Sequence, residues 1–435
     1  MKGPFLFFIE YIGQLLSYGR VGIFIIQCIN LFASLILVCF TFRLFHVNNR
    51  YLQCALFLPI MYIACFTFEG GNLTEEFSLV PLLSCLFLCL LFFANSENQS
   101  SFWQKRFYSY AGIWFGICFG ALLMIRITNA ALICAIVFTV VVYLIKSRKF
   151  RQLTICAGMF LIGLAVSVLP AILFFGARGL LIEMLNNVFV LGFKYSGEKT
   201  IVQHIAETIL NTRNQRILLV VVPLFVLLQW RGWRERLLAL TGSLFTFFAI
   251  ALGNNYSHYY TLTIPFLILS ELSIVDLIHN KQNRKAIIAF ILSAAMLASQ
   301  LPIIRDFQDW VYPRLFLQDS FTTETLIKDI SSKIPEKDYR SVFCYNIDPS
   351  WYSYTGVDIF PCIKYCGWQN HYISLMPEIY NDFEDTFTAC PPAWLVLPKP
   401  SGKIPGFIQD PLATDYKLVY ENEQYALYQY LKKKC

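Results

Sequence analysis

The chain has 435 residues, of which 57% are hydrophobic and only 14% are charged, and its mean hydropathy is +0.54. These values exclude an ordinary soluble enzyme and are typical of a chain that crosses a membrane several times. The formal net charge of +7 does not indicate nucleic-acid binding, because most of the basic residues lie in short clusters between apolar runs.

The chain begins with residues 1–20, in which residues 3–17 are apolar but too short and interrupted to span a bilayer. We predict that they form an interfacial helix on the outer face of the membrane. Apolar runs of about 17–25 residues then predict about ten membrane helices within residues 21–304. The predicted spans are roughly 21–45, 51–68, 77–94, 109–125, 130–146, 153–175, 216–230, 237–253, 260–279 and 286–304. Only residues 126–129 separate the fourth span from the fifth, so one of these two is expected to be short or re-entrant.

Basic residues occupy every second connection between these runs, which places those connections in the cytoplasm by the positive-inside rule. The other connections, and everything after residue 305, are then on the outer side. The same rule places the N-terminus outside, which is unusual for a multi-spanning chain. We therefore expect that a first membrane helix is missing upstream of Met1.

Residues 305–435 differ in composition, because charged residues and prolines increase and the apolar runs shorten to strand length. Period-two patterns predict strands, and one segment predicts a helix. The fold class is thus an all-α polytopic membrane protein with a small extracytoplasmic α/β domain at its C-terminus. The cysteines here include Cys362 and Cys366, which lack a partner pair at zinc spacing, so no metal site is expected. The predicted strands are 341–345, 393–398, 417–420 and 426–430, and the predicted helix is 323–333.

Three carboxylates, Glu69, Glu75 and Glu76, lie between the second and third apolar runs. A carboxylate inside lipid costs about 2.5–3.5 kcal/mol at a helix centre, so this corner is a candidate functional site at the aqueous rim. The alternative interpretation is structural: Asn72 and Thr74 followed by two glutamates is also favourable chemistry for a helix start. The two interpretations are compatible.

Two other predicted outer positions carry polar groups at the ends of apolar runs. Arg126 is a candidate ligand for a lipid phosphate, although it could instead extend to the lipid headgroups. His258 is a candidate donor to a phosphate or a sugar hydroxyl, with Tyr259 and Tyr260 as sugar contacts. The alternative is that both tyrosines belong to the interfacial aromatic belt. Lys2 is a further candidate phosphate ligand.

Three segments of the chain resemble motifs of one enzyme class. They are Lys2-Gly-Pro-Phe-Leu-Phe-Phe-Ile-Glu10, Glu69-Gly-Gly-Asn-Leu-Thr-Glu-Glu76 and Tyr256-Ser-His-Tyr-Tyr-Thr-Leu-Thr-Ile-Pro265. The three segments are all predicted on the same side of the membrane. In this arrangement and in their order they resemble motifs of the GT-C superfamily of membrane glycosyltransferases, in particular the group similar to protein O-mannosyltransferases and the lipid A aminoarabinose transferase. The resemblance covers the whole chain.

The resemblance implies transfer of a sugar from a polyprenyl-phosphate donor to a lipid or cell-envelope glycan acceptor, at the outer face of a bacterial plasma membrane. It implies no nucleotide and no redox cofactor. Glu69, Glu75 and Glu76 would act in catalysis, while Arg126, His258, Tyr259, Tyr260, Lys2 and Asn72 would bind the donor.

This sequence departs from the family where an acidic segment usually precedes Lys-Gly-Pro, because here the chain starts at Met1-Lys-Gly-Pro. Glu10 could replace that missing base only if its segment folds inward, and we expect it on a solvated face. The competing hypotheses are a transporter of lipid-linked sugars and an inactive, truncated remnant of the transferase.

Overall fold

The structure is a computed structural model, and it divides into two compact units, Met1–Phe307 and Gln308–Cys435. Each unit is described separately. The residues that the structure describes are 3–17, 20–68, 71–95, 102–190, 200–210, 215–229, 232–252, 256–301, 319–349, 351–363, 365–375, 377–400 and 402–432.

The first unit is helical. Its helices in chain order are α1 (Pro4–Leu16), α2 (Arg20–Leu44), α3 (Arg50–Thr67), α4 (Thr74–Asn95), α5 (Phe102–Ile125), α6 (Ala131–Lys146), α7 (Phe150–Gly176), α8 (Leu181–Leu185), α9 (Ile201–Leu210), α10 (Leu218–Leu227), α11 (Trp233–Leu252), α12 (Ile264–His279) and α13 (Asn283–Ser299). Short 3₁₀ turns at Ile127–Ala130 and Ser257–Thr263 lead into α6 and α12.

Eight helices in the described part of the chain are long and apolar enough to cross a membrane, so this is an integral membrane protein. They correspond to eight of the ten predicted spans. The other two predicted spans are shorter: α10 has 10 residues and α13 has 17. The expectation of a short fourth or fifth span is wrong, because Phe107–Ile125 and Ile127–Lys146 both reach spanning length. The prediction of a separate short helix at residues 3–17 is confirmed by α1.

Helices α5 and α7 pack backbone to backbone through glycine. A Cβ atom on Gly116 would lie 2.1 Å from the carbonyl oxygen of Phe160, and one on Gly163 would lie 2.1 Å from that of Ile113. Lipid tails are as apolar as the side chains, so close van der Waals packing at small residues drives association between membrane helices. The glycines therefore hold α5, which ends at the predicted outer corner, against α7.

The second unit contains a four-stranded sheet with the order β1-β2-β4-β3. Strands β1 and β2 are parallel, and the other two pairs are antiparallel. All four predicted strands and the predicted helix are confirmed. The elements are α14 (Asp319–Ser331), β1 (Val342–Cys344), α15 (Trp351–Tyr354), α16 (Gln369–Leu375), α17 (Glu378–Ala389), β2 (Trp394–Pro398), α18 (Gly406–Thr414), β3 (Tyr416–Glu421) and β4 (Tyr425–Tyr430).

Buried side chains alternate between the two faces of this sheet, as the period of a strand requires. Val342 and Cys344 pack on one face with Ile330 of α14, whereas Phe343 packs on the other face with Phe383 of α17. Because both faces are covered by helices, the central strands contain consecutive apolar residues.

The close approach of α5 and α7 predicts that Gly163→Leu destabilises the membrane unit by about 1–3 kcal/mol, because the added side chain meets the backbone of α5. The measurement is thermal unfolding of the purified chain in detergent. Gly158→Leu is the matched control, because it lies on the same helix with no atom within 4 Å of its would-be Cβ. Equal midpoints for the two variants would contradict this packing.

Candidate functional site

The corner between α3 and α4 has a backbone that favours glycine. Gly71 has φ of +86° and Asn72 has φ of +58°, in the left-handed region that ordinary side chains rarely adopt. A Cβ on Gly71 would also lie 2.1 Å from Nε2 of Gln27. The turn therefore brings the first residues of α4 close to α2, and the helix begins with Glu75 and Glu76 in its first turn.

Glu75 forms a buried ion pair with Arg126. The distance from Nη1 of Arg126 to Oε1 of Glu75 is 3.1 Å, and the two side chains are 15% and 0% exposed. The other carboxylate oxygen accepts a hydrogen bond of 2.7 Å from Oγ1 of Thr74.

Tyr259 completes this cluster. Nη2 of Arg126 donates to its hydroxyl group, and the guanidinium carbon lies 4.2 Å from the centre of its ring. Residues from three predicted outer connections, which are far apart in sequence, thus meet at one cation. We call Glu75, Arg126 and Tyr259 the ion-pair cluster.

The position of Arg126 follows from the end of α5. Its backbone N–H still donates to Leu122, while its φ and ψ of −166° and 125° are already extended, so its side chain leaves the helix at the corner. The backbone N–H of Gly3 donates to the carbonyl oxygen of Ile125 at 2.9 Å. The start of α1 is therefore tied to the residue next to Arg126.

Glu76 points in a different direction from Glu75. Its Oε2 accepts a hydrogen bond of 3.1 Å from Nε2 of Gln27, and its backbone carbonyl accepts one of 2.9 Å from Asn30. The sequence analysis predicted the same role for both glutamates. In the structure, only Glu75 of these two contacts Arg126. Glu76 therefore connects the corner to α2 through these two hydrogen bonds.

Asn72 also binds a carboxylate. Its Nδ2 donates to Oε1 of Glu10 at 3.1 Å, and Glu10 is half-buried. Glu10 is thus only partly exposed, and the packing of α1 against α2 and α5 brings it into contact with the corner. Its role as a replacement base stays a prediction.

The remaining predicted site residues lie in different environments. His258 packs edge to face on Tyr259, with 4.5 Å between ring centres, and stacks on Tyr256. The side chain of Tyr260 is fully buried in the hydrophobic core that also contains Tyr259 and Ile264. Glu69 and Lys2 lie outside the described residues.

Sequence reasoning missed the polar residues that support the corner from inside the helices. Asn129 donates to Oγ of Ser78 at 2.8 Å, and that hydroxyl donates to the carbonyl oxygen of Thr74 at 2.6 Å. Gln27 and Asn30 were missed in the same way. The available signal was their spacing of three residues on an otherwise apolar helix, which places both side chains on one face.

Within the described ranges, no group of three or more histidine, cysteine or acidic residues is arranged to hold a metal ion. The polar groups of the corner are instead carboxylates, amides and one guanidinium. This set suits recognition of an anion together with hydroxyl groups.

No protein-family model matches this chain, and no curated protein matches it. Two solved structures are similar to it: ArnT from Cupriavidus metallidurans bound to undecaprenyl phosphate, and the same protein in the apo state. Each gives a TM-score of 0.58 at 12% sequence identity, over 98% of this chain and 87% of that one. The chain therefore shares the overall fold of ArnT, which confirms the polytopic membrane fold expected from the sequence.

The ion pair predicts that Arg126→Ala destabilises the chain by about 3–5 kcal/mol, because it leaves a fully buried carboxylate without its partner. Adding Glu75→Gln should recover part of that loss, since the neutral amide needs no counter-ion. The measurement is a double-mutant cycle on thermal unfolding in detergent. Arg151→Ala, which removes an exposed arginine of α7 that makes no ion pair within the described residues, should have little effect. Additive single substitutions would contradict the pairing.

Proposed function

We propose that this chain is a membrane glycosyltransferase that moves a sugar from a polyprenyl-phosphate donor to a lipid or cell-envelope glycan acceptor at the outer membrane face. The observation that carries the proposal is the ion-pair cluster, in which Arg126 is held by Glu75 and Tyr259 at a membrane-edge corner. The ArnT fold supports it, because one of the two similar structures is bound to undecaprenyl phosphate.

Arg126 is proposed as the ligand of the donor phosphate. A guanidinium has five N–H donors in a planar fork, so it can hold a carboxylate and a phosphate oxygen at the same time. Glu75 and Tyr259 orient it, and its side chain is 15% exposed. His258, stacked against Tyr259, is proposed to donate to the same phosphate or to the sugar.

Glu10 is proposed as the base that receives the acceptor's proton. Of the three described carboxylates at this corner, Glu75 faces Arg126 and Glu76 is 3% exposed and bound to Gln27. Glu10 is half-buried, and the amide of Asn72 donates to it. A base must be within reach of the incoming hydroxyl, and Glu10 meets this requirement best. Glu76 is proposed to position the corner rather than to react.

The proposed step is a displacement at the anomeric carbon. The acceptor oxygen forms a bond to that carbon as its proton passes to Glu10. The bond between the carbon and the phosphate oxygen breaks, and the lipid phosphate leaves with the electron pair. Arg126 stabilises the negative charge on the departing phosphate, which is the largest contribution that a preorganised cation makes in such reactions.

One observation favours the second candidate function, transport of a lipid-linked sugar. Glu271 lies in the middle of the candidate span Ser257–His279, and both of its carboxylate oxygens are buried without a hydrogen-bond partner in the described structure. Ionisable groups within a membrane span often mark transport or proton pathways.

The transferase proposal predicts that Arg126→Gln lowers sugar transfer about 10²–10³-fold and that Glu10→Gln lowers it about 10²–10⁴-fold. The measurement is transfer from polyprenyl-phosphate sugars to membrane lipids by the purified full chain, alongside direct binding of undecaprenyl phosphate. Arg126→Gln should weaken that binding, whereas Glu10→Gln should not. Glu76→Gln is the matched control at the same corner and should have a smaller effect on transfer. Full transfer activity in both Arg126→Gln and Glu10→Gln would contradict the site assignment.

Glu271→Gln separates the two candidate functions. If the chain is a transferase, this variant keeps its transfer activity in detergent, because Glu271 lies along the span away from the corner. If the chain is a transporter, the variant loses movement of a labelled polyprenyl-phosphate sugar across reconstituted vesicles. Loss of transport together with no transfer by the unmodified chain would favour the transporter.

A further inference from the structure

A groove open to the outside of the helical unit runs between α2 and α3. Its volume is about 600 Å³, within the range of ligand-binding pockets. It lies toward the ends of the two helices that are joined by residues 45–49, which is the end opposite the Glu75 corner. The lining residues are Phe32, Leu35, Ile36, Cys39, Phe40, Arg43, Phe57 and Met61.

The wall formed by α2 is one continuous helix face. Phe32, Ile36, Cys39 and Arg43 follow one another at intervals of three or four residues, so their side chains form a row. The first three residues of the row are apolar, and the last residue, Arg43, is charged. On the facing wall, Phe57 packs against the ring of Phe42 of α2, with 5.5 Å between ring centres.

The length of the groove matches one leaflet of a bilayer. From Phe32 to Arg43 the helix rises about 16 Å at ~1.5 Å per residue. This is about half of the ~30 Å hydrocarbon core. An acyl chain that lies in the groove therefore extends from the middle of the membrane to its surface, where Arg43 stands.

The charge at the mouth of the groove suits an anionic headgroup. Arg43 is exposed, and within the described ranges it takes part in no ion pair or side-chain hydrogen bond. Arg50, at the start of α3, is a second exposed arginine on the far side of the short connection. By the positive-inside rule both face the cytoplasm, and basic pockets between membrane helices on that side bind anionic lipid headgroups.

We infer that the groove between α2 and α3 is a binding site for an anionic phospholipid, with one acyl chain along the row from Phe32 to Cys39 and its phosphate at Arg43. The phosphate end of this site is separate from the proposed donor site, because Arg43 lies about 20 Å along α2 from Asn30, which contacts the corner. The bound lipid fills an apolar groove that the protein's own side chains leave open.

The test is a lipid titration of the purified full chain, followed by native mass spectrometry, with palmitoyl-oleoyl phosphatidylglycerol compared with the zwitterionic phosphatidylcholine of the same tails. We expect tighter binding of phosphatidylglycerol. Arg43→Gln should weaken it about fivefold, while Arg151→Gln, which removes an arginine outside the groove, should not. Equal binding of the two lipids, or equal effects of the two arginine variants, would overturn the inference.

A second pair of variants tests the acyl-chain part of the site. Met61→Trp fills the groove and should reduce phosphatidylglycerol binding with Arg43 unchanged. Leu58→Trp, on the same helix but outside the lining and 70% exposed, is its control. Ile36→Trp fills the groove from the opposite wall and replaces Met61→Trp if that variant does not fold. Undiminished binding in the filled variants would mean that the headgroup alone is held at the surface, and the inference would fail.

Discussion

The membrane unit depends on keeping a charged carboxylate where a carboxylate is costly. Glu75 is fully buried at the start of a membrane-spanning helix, and its charge is tolerated because Arg126 and Thr74 both donate to it. Breaking such a pair costs much more than the pair itself contributes, because the remaining charge is left without a partner. The pair therefore constrains where α4 begins, where α5 ends and how Tyr259 approaches them. A functional site formed around it has a rigid arrangement before any ligand binds.

Side chains at neighbouring positions of this corner point in different directions, because a helix rotates by about 100° per residue. Glu75 faces the connection after α5, whereas Glu76 faces α2 and its amides. Glu10 reaches the same corner from a third direction, on a helix tied to the end of α5 through Gly3. The corner therefore carries one carboxylate paired with Arg126 and a second, more exposed carboxylate bound to Asn72.

Much of the architecture was predictable, because it depends on local composition. Long apolar runs must form helices in a membrane, where each backbone polar group needs an internal partner, and eight of the predicted spans have spanning length. The short strands of the C-terminal unit followed from their period-two patterns, and the predicted strand 393–398 became β2 at Trp394–Pro398. The span predicted at 216–230 was overestimated, because apolarity alone does not reveal where a helix ends; α10 covers only Leu218–Leu227.

The sequence by itself determined that the chain crosses a membrane, that acidic and basic groups gather at predicted outer corners, and that Glu75, Glu76, Arg126 and Tyr259 were worth considering. These conclusions follow from hydropathy and charge, which are properties of local segments. The tertiary structure decided that Glu75 rather than Glu76 meets Arg126, that Tyr259 joins this pair, and that Glu10 contacts Asn72. The reason is that the rotation of each helix about its axis is set by close packing against distant helices, as at Gly163 and Gly71, and no local pattern records those contacts.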